Sequence, residues 1–142
     1  MNKFIIQIGN DRYFKSMIDE TFQVTDNKEG AHIFNDIAEA KQHADYVTVI
    51  THSGIEGYNL PTPRMQRNYR HFIDLGADVV INHHQHCYSG YELYDGKPIF
   101  YGLGNFLFDH LTQRNTIWNE GYMVQIELSA EGVSFELFPY TQ

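Results

Sequence analysis

A chain of 142 residues, 42% hydrophobic and 20% charged, is long enough to bury a core and too apolar to be disordered. Ten Lys and Arg against 18 Asp and Glu leave a formal charge of −8, which argues against phosphate-led nucleic-acid binding and predicts no nucleic-acid partner. No apolar stretch approaches the ~20 residues of a membrane span, residues 1–9 read as too short and polar for a signal peptide, and lone Cys87 excludes an internal disulfide.

In chain order, Phe4-Ile-Ile-Gln-Ile-Gly9 reads as a strand ending at a glycine turn. Tyr13, Phe14, Met17 and Ile18 have helical spacing, and residues 26–30 read as a loop. Asp36 and Glu39 form a candidate capping box for a short helix with Ile37, Ala40 and Ala44 on one side. The run Tyr46-Val-Thr-Val-Ile-Thr51 predicts a strand that empties into His52, and residues 54–61 form a loop rich in turn residues. The clearest helix covers residues 63–75, with Thr62 as N-cap, Pro63 in the first position and Gly76 just past the end. Its stripe is Met65, Tyr69, Phe72 and Ile73.

A strand over 78–82 follows almost at once, so strand, helix and strand predict a right-handed crossover between parallel neighbours. Asp95-Gly96, between the alternating runs from Gly90 and from Lys97, predicts a hairpin with a type I′ turn. Two more alternating strands, 122–128 and 133–138, complete the pattern. The prediction is an α/β domain over residues 1–142, a parallel α/β unit followed by antiparallel strands, and cytoplasmic if the chain is complete.

Residues 78–86, Asp-Val-Val-Ile-Asn-His-His-Gln-His, carry the chemistry. Alternation along the strand puts His84 and His86 on one face and His83 on the other, as a second-layer or packing residue. The pair could share one metal or ligate two, with His52 arriving from the neighbouring strand end. His32, His43 and His71 lack such partners and read as structural. Cys87 reads as a small buried hydrophobe. Glu56, four residues after His52, could orient a histidine, act as a base, bind a ligand or simply be solvated. Gly102-Leu-Gly-Asn-Phe-Leu-Phe-Asp109 lacks the dinucleotide spacing and reads as a tight turn that brings Asn105 and Asp109 near the histidines. Ser53 lacks a nucleophile elbow, so metal-assisted hydrolysis fits better than nucleophilic catalysis.

His52-Ser-Gly-Ile-Glu56, Pro61-Thr-Pro63, Gln66-Arg67, the run 73–81, His83-His-Gln-His86 and the run 96–109 together resemble the CapA-type capsule and poly-γ-glutamate biosynthesis proteins. The resemblance covers about residues 34–109, with six elements in order, and residues 4–33 are weakly similar. It implies a calcineurin-like metallophosphoesterase fold, a β-sandwich flanked by helices around a dinuclear site. His52 and His84 would then serve one metal and His86 the other, with Glu56, Asn105 and Asp109 as pocket-lining catalytic candidates. The implied cofactor is a divalent metal (Mn, Zn, Fe or Mg), and the implied substrate a small molecule or polymer bearing a phosphoester.

The Gly-Asp and Asn-Asn-His segments of the family's first half are absent, and Asn82 replaces the glycine that precedes the family's histidines. The chain therefore resembles a C-terminal half. A missing N-terminal half, another chain or self-association is the expected partner, since half a sandwich leaves an edge and an apolar face uncovered. Family members are often associated with the cell envelope. The competing expectations are a non-catalytic binding or assembly module of envelope-polymer synthesis with a vestigial site, and a carbohydrate-binding module using the aromatic surface.

Overall fold

β-Branched and aromatic runs build the central sheet, because such side chains fit a pleated surface covered on at least one face. The computed structural model describes residues 4–5, 13–18, 21–25, 37–108 and 117–141. The elements in chain order are β1 (Phe4–Ile5), β2 (Tyr13–Ile18), β3 (Thr21–Thr25), α1 (Ile37–His43), β4 (Tyr46–His52), α2 (Pro63–Asp74) and β5 (Val79–His83). After these come β6 (Tyr91–Tyr94), β7 (Lys97–Phe100), a 3₁₀ turn at Ile117–Asn119, β8 (Glu120–Ser129) and β9 (Gly132–Thr141).

Five strands form one sheet in the order β1-β4-β5-β7-β6. β1, β4, β5 and β7 pair parallel, and β6 closes the edge antiparallel to β7. This is the expected α/β class, parallel then antiparallel, with helices flanking the sheet. The hairpin turn has the two positive φ angles of type I′, 51° at Asp95 and 73° at Gly96. Its second strand, however, inserts beside β5 and extends the parallel sheet. β8 and β9 pair from Glu120↔Thr141 to Ser129↔Gly132, longer than the strands expected there. Phe135 of β9 meets Phe100 and Tyr91 edge-on at 5.1 and 5.2 Å, which seats this hairpin on the main sheet.

One expectation is overturned. Residues 13–18 form a strand paired antiparallel to β3, not a helix. Aromatic and apolar residues such as Tyr13, Phe14 and Ile18 suit a strand as well as a helix. Thr21, Phe22, Val24 and Thr25 then supply a partner strand that favours the extended form. Gly9, the loop at 26–30, His32 and the Asp36 cap lie outside the described residues.

Helix α2 forms as its signals predict. The Thr62 hydroxyl accepts from the Met65 amide at 3.2 Å, and Gly76 takes a φ of 111° beyond the end. Met65, Tyr69 and Ile73 are buried against Ala77, Val80, Ile99 and Tyr101. Ala40 and Ala44 pack on Val47 and hold α1 against β4. Buried Asp78 accepts from the Val47 amide at 2.8 Å and pairs with Lys41 at 2.7 Å, locking the start of β5 to β4. These contacts set the register that brings the carboxyl ends of both strands together.

Candidate functional site

β4 and β5 are parallel and in register from Thr48↔Val79 to His52↔His83, so each delivers a histidine to the same end of the sheet. Backbone bonds hold the loops that leave them. The Ser53 amide donates to the His83 carbonyl at 3.2 Å, and the Gly57 amide donates to the Gln85 carbonyl at 2.7 Å. The strand stops at His83, and His84 and His86 take positive φ angles of 96° and 54°. Alternation along a strand therefore does not align these two side chains. A left-handed turn does, at a backbone cost of about 1–3 kcal/mol for each such residue. The rings of His52 and His84 lie 4.9 Å apart between centroids, and those of His84 and His86 6.3 Å apart.

The histidines line a cavity of about 140 Å³ together with Gln85, Cys87 and Asn105. His83 also lines this cavity, and it borders a second one with Leu103, Asn105 and Phe106. Desolvation lowers its pKa, and the neighbouring His52 adds to the lowering. Cys87 is buried, and desolvation pushes its thiol up, which disfavours the thiolate a metal requires.

Asn105 is 7% exposed and holds His86 twice. Its Nδ2 donates to the carbonyls of His86 and Trp118, both at 3.0 Å, and its Oδ1 lies 2.8 Å from His86 Nδ1. The His86 ring stacks on Trp118 at 4.8 Å and tilts against Phe108 at 5.2 Å. The tight turn expected around Gly102 and Gly104 delivers this asparagine. A Cβ on Gly104, which has a φ of 87°, would lie 2.5 Å from the Glu120 carbonyl oxygen.

Below the pocket runs a buried polar layer that motif reading missed. Asn82 is fully buried, and its Nδ2 donates to the carbonyls of Ser53 and Tyr101, both at 2.9 Å. Its Oδ1 accepts from Thr51 Oγ1 at 2.8 Å and Tyr69 Oη at 2.7 Å. Burial, the dominant influence, raises the pKa of the Tyr69 phenol. Gln85 extends the layer by donating to the Tyr58 carbonyl at 2.8 Å. An asparagine directly after Val-Val-Ile in a buried strand was the available signal, since a buried amide requires partners.

Glu56 stands exposed in the loop after His52, outside the cavity lining, and Asp109 lies outside the described residues. Among the described residues, no three His, Cys, Asp or Glu side chains come together closely enough to hold a metal ion. The donor set here is thus incomplete for a closed metal centre, although its imidazoles are of the type that first-row divalent metals accept.

Residues 7–110 match the family described as Bacterial capsule synthesis protein PGA_cap. The chain is 42% identical over 104 residues to the PGA biosynthesis protein CapA of Bacillus subtilis (strain 168), covering 72% of this chain and 27% of that protein. It is 38% identical over 94 residues to the Capsule biosynthesis protein CapA of Bacillus anthracis, covering 66% and 22%. An uncharacterized protein of Sinorhizobium fredii (strain NBRC 101917 / NGR234) is 36% identical over 83 residues, 57% of this chain and 18% of that protein. The matched part of this chain spans about a quarter of the length of the two CapA proteins.

Proposed function

The chain belongs to the PGA_cap family of bacterial capsule synthesis proteins, and from that premise we propose that it serves poly-γ-glutamate capsule synthesis through its histidine pocket. The pocket is read as part of a metallophosphoesterase-type site, to which His52, His84 and His86 would contribute donors for a divalent metal. The observation that carries this reading is that four histidines line one cavity at the carboxyl ends of β4 and β5, where open α/β sheets bind ligands. A bound metal would supply Lewis-acid polarisation of a phosphoryl oxygen and a more acidic water. The residues themselves contribute imidazole nitrogens, His52 from the end of β4 and His84 and His86 from the turn after β5. A carboxylate, from Asp109, Glu56 or another polypeptide segment, is needed to complete the set.

Metal titration of the purified chain with Zn²⁺ and Mn²⁺, read by calorimetry and elemental analysis, tests the proposal. One ion bound per chain is expected, with affinity at least about tenfold weaker in His84→Ala. Absence of bindable metal, or identical binding by the variant, overturns it.

The incomplete donor set among the described residues favours a second reading, an assembly module that keeps the pocket without turnover. Assay on generic phosphoesters with added Mn²⁺ or Zn²⁺ separates the two. Hydrolysis lost on His52→Ala supports the enzyme, and metal uptake with no turnover supports the module.

A further inference from the structure

We propose that Asn105 is a positioning residue that locks His86 in its Nδ1–H tautomer, leaving Nε2 as a preset electron-pair donor to a divalent cation. A neutral imidazole carries one proton on either nitrogen, and the hydrogen bond at one nitrogen decides which. Here the Asn105 amide cannot be turned over. Its Nδ2 faces two carbonyl oxygens, of His86 and Trp118, and reversing the amide would set Oδ1 against both. Oδ1 is therefore the atom 2.8 Å from His86 Nδ1, and an amide oxygen only accepts. The proton must sit on Nδ1.

Stacking on Trp118 and contact with Phe108 fix the ring plane, so the lone pair at Nε2 is oriented as well as retained. A divalent metal of the class that takes imidazole requires that lone pair. The metal function deepens the reading given under Proposed function. The tautomer itself belongs to the metal-free chain and is tested apart from it.

The test is a two-bond ¹H–¹⁵N correlation spectrum of the ¹⁵N-labelled chain, without metal, at a pH where the ring is neutral. His86 is expected to show a protonated Nδ1 and an unprotonated Nε2, the reverse of the preference of free histidine. Asn105→Leu removes the acceptor and should return His86 to the Nε2–H form, while Asn105→Asp keeps an acceptor and should retain the Nδ1–H form. A structural role alone would lower thermal stability in both variants without moving the tautomer.

An Nε2–H form in the unmodified chain overturns the proposal even if the variants fail to fold, and so does an unchanged tautomer in a folded Asn105→Leu. Zinc affinity should fall about tenfold or more in the same variant. An Nδ1–H tautomer in a chain that binds no zinc supports the lock and overturns the metal reading alone.

Discussion

Asn82 joins three segments through one amide: Ser53 after β4, Tyr69 on α2 and Tyr101 after β7. Asn82→Leu keeps the branched shape but leaves two carbonyls and two hydroxyls without this partner, at about 1–3 kcal/mol for each group left unpaired and buried. Urea unfolding should show a loss of about 3 kcal/mol or more, and a loss below about 1 kcal/mol would contradict the network. Glu92 makes a different prediction. Hydrogen bonds from Arg70 at 2.7 and 2.9 Å hold its carboxyl below the ordinary range, burial opposes this, and the Tyr101 hydroxyl adds to the lowering. A depressed folded pKa gives stability that is complete above the ordinary carboxylate range, about pH 4 to 5, and is lost as pH falls through the folded value. Glu92→Gln should flatten the acid limb of a Tm-against-pH curve; an unchanged slope would remove Glu92 from the account.

At the scale of elements, the turn from Gly102 to Asn105 depends on a close approach to β8, where Gly104 bridges Gly121 and the Tyr122 amide donates to the Leu103 carbonyl at 2.9 Å. Gly104→Ala adds a Cβ against a carbonyl and an unfavourable positive φ. It should cost about 2 kcal/mol or more in thermal unfolding, and it should also shift the His86 ring resonances because Asn105 is the next residue. Full tolerance would mean that the turn is soft. Sequence signals read this level unevenly. Thr62, Pro63 and Gly76 bounded α2 because caps act on neighbouring atoms. Tyr13, Phe14, Met17 and Ile18 misled because their spacing is helical while their aromatic and branched side chains also suit a strand, and pairing with β3 decided between them.

At the scale of the molecule, β8 and β9 reach the main sheet through Phe135, whose ring contacts Phe100 and Tyr91. Phe135→Ala should cost about 2 kcal/mol from lost burial and ring contacts. In hydrogen exchange, β8–β9 amides should lose protection while those of β4 and β5 keep theirs. Equal loss in both would make the hairpin and sheet one cooperative unit. Among the described residues, no helix is long and apolar enough to cross a membrane.

What the sequence determined by itself is local or ordered along the chain: the apolar runs ending at His52 and His83, the caps of α2, the Asp95-Gly96 turn and the family motifs. Those follow from period, turn chemistry and spacing, which act between near neighbours. Tertiary structure alone decided that His84 and His86 meet through a left-handed turn, that His83 joins them, and that Asn105 holds His86 from 19 residues away. The reason is physical. A strand's alternation holds only while its backbone pairing continues, and where pairing stops, packing from distant segments sets the direction of each side chain.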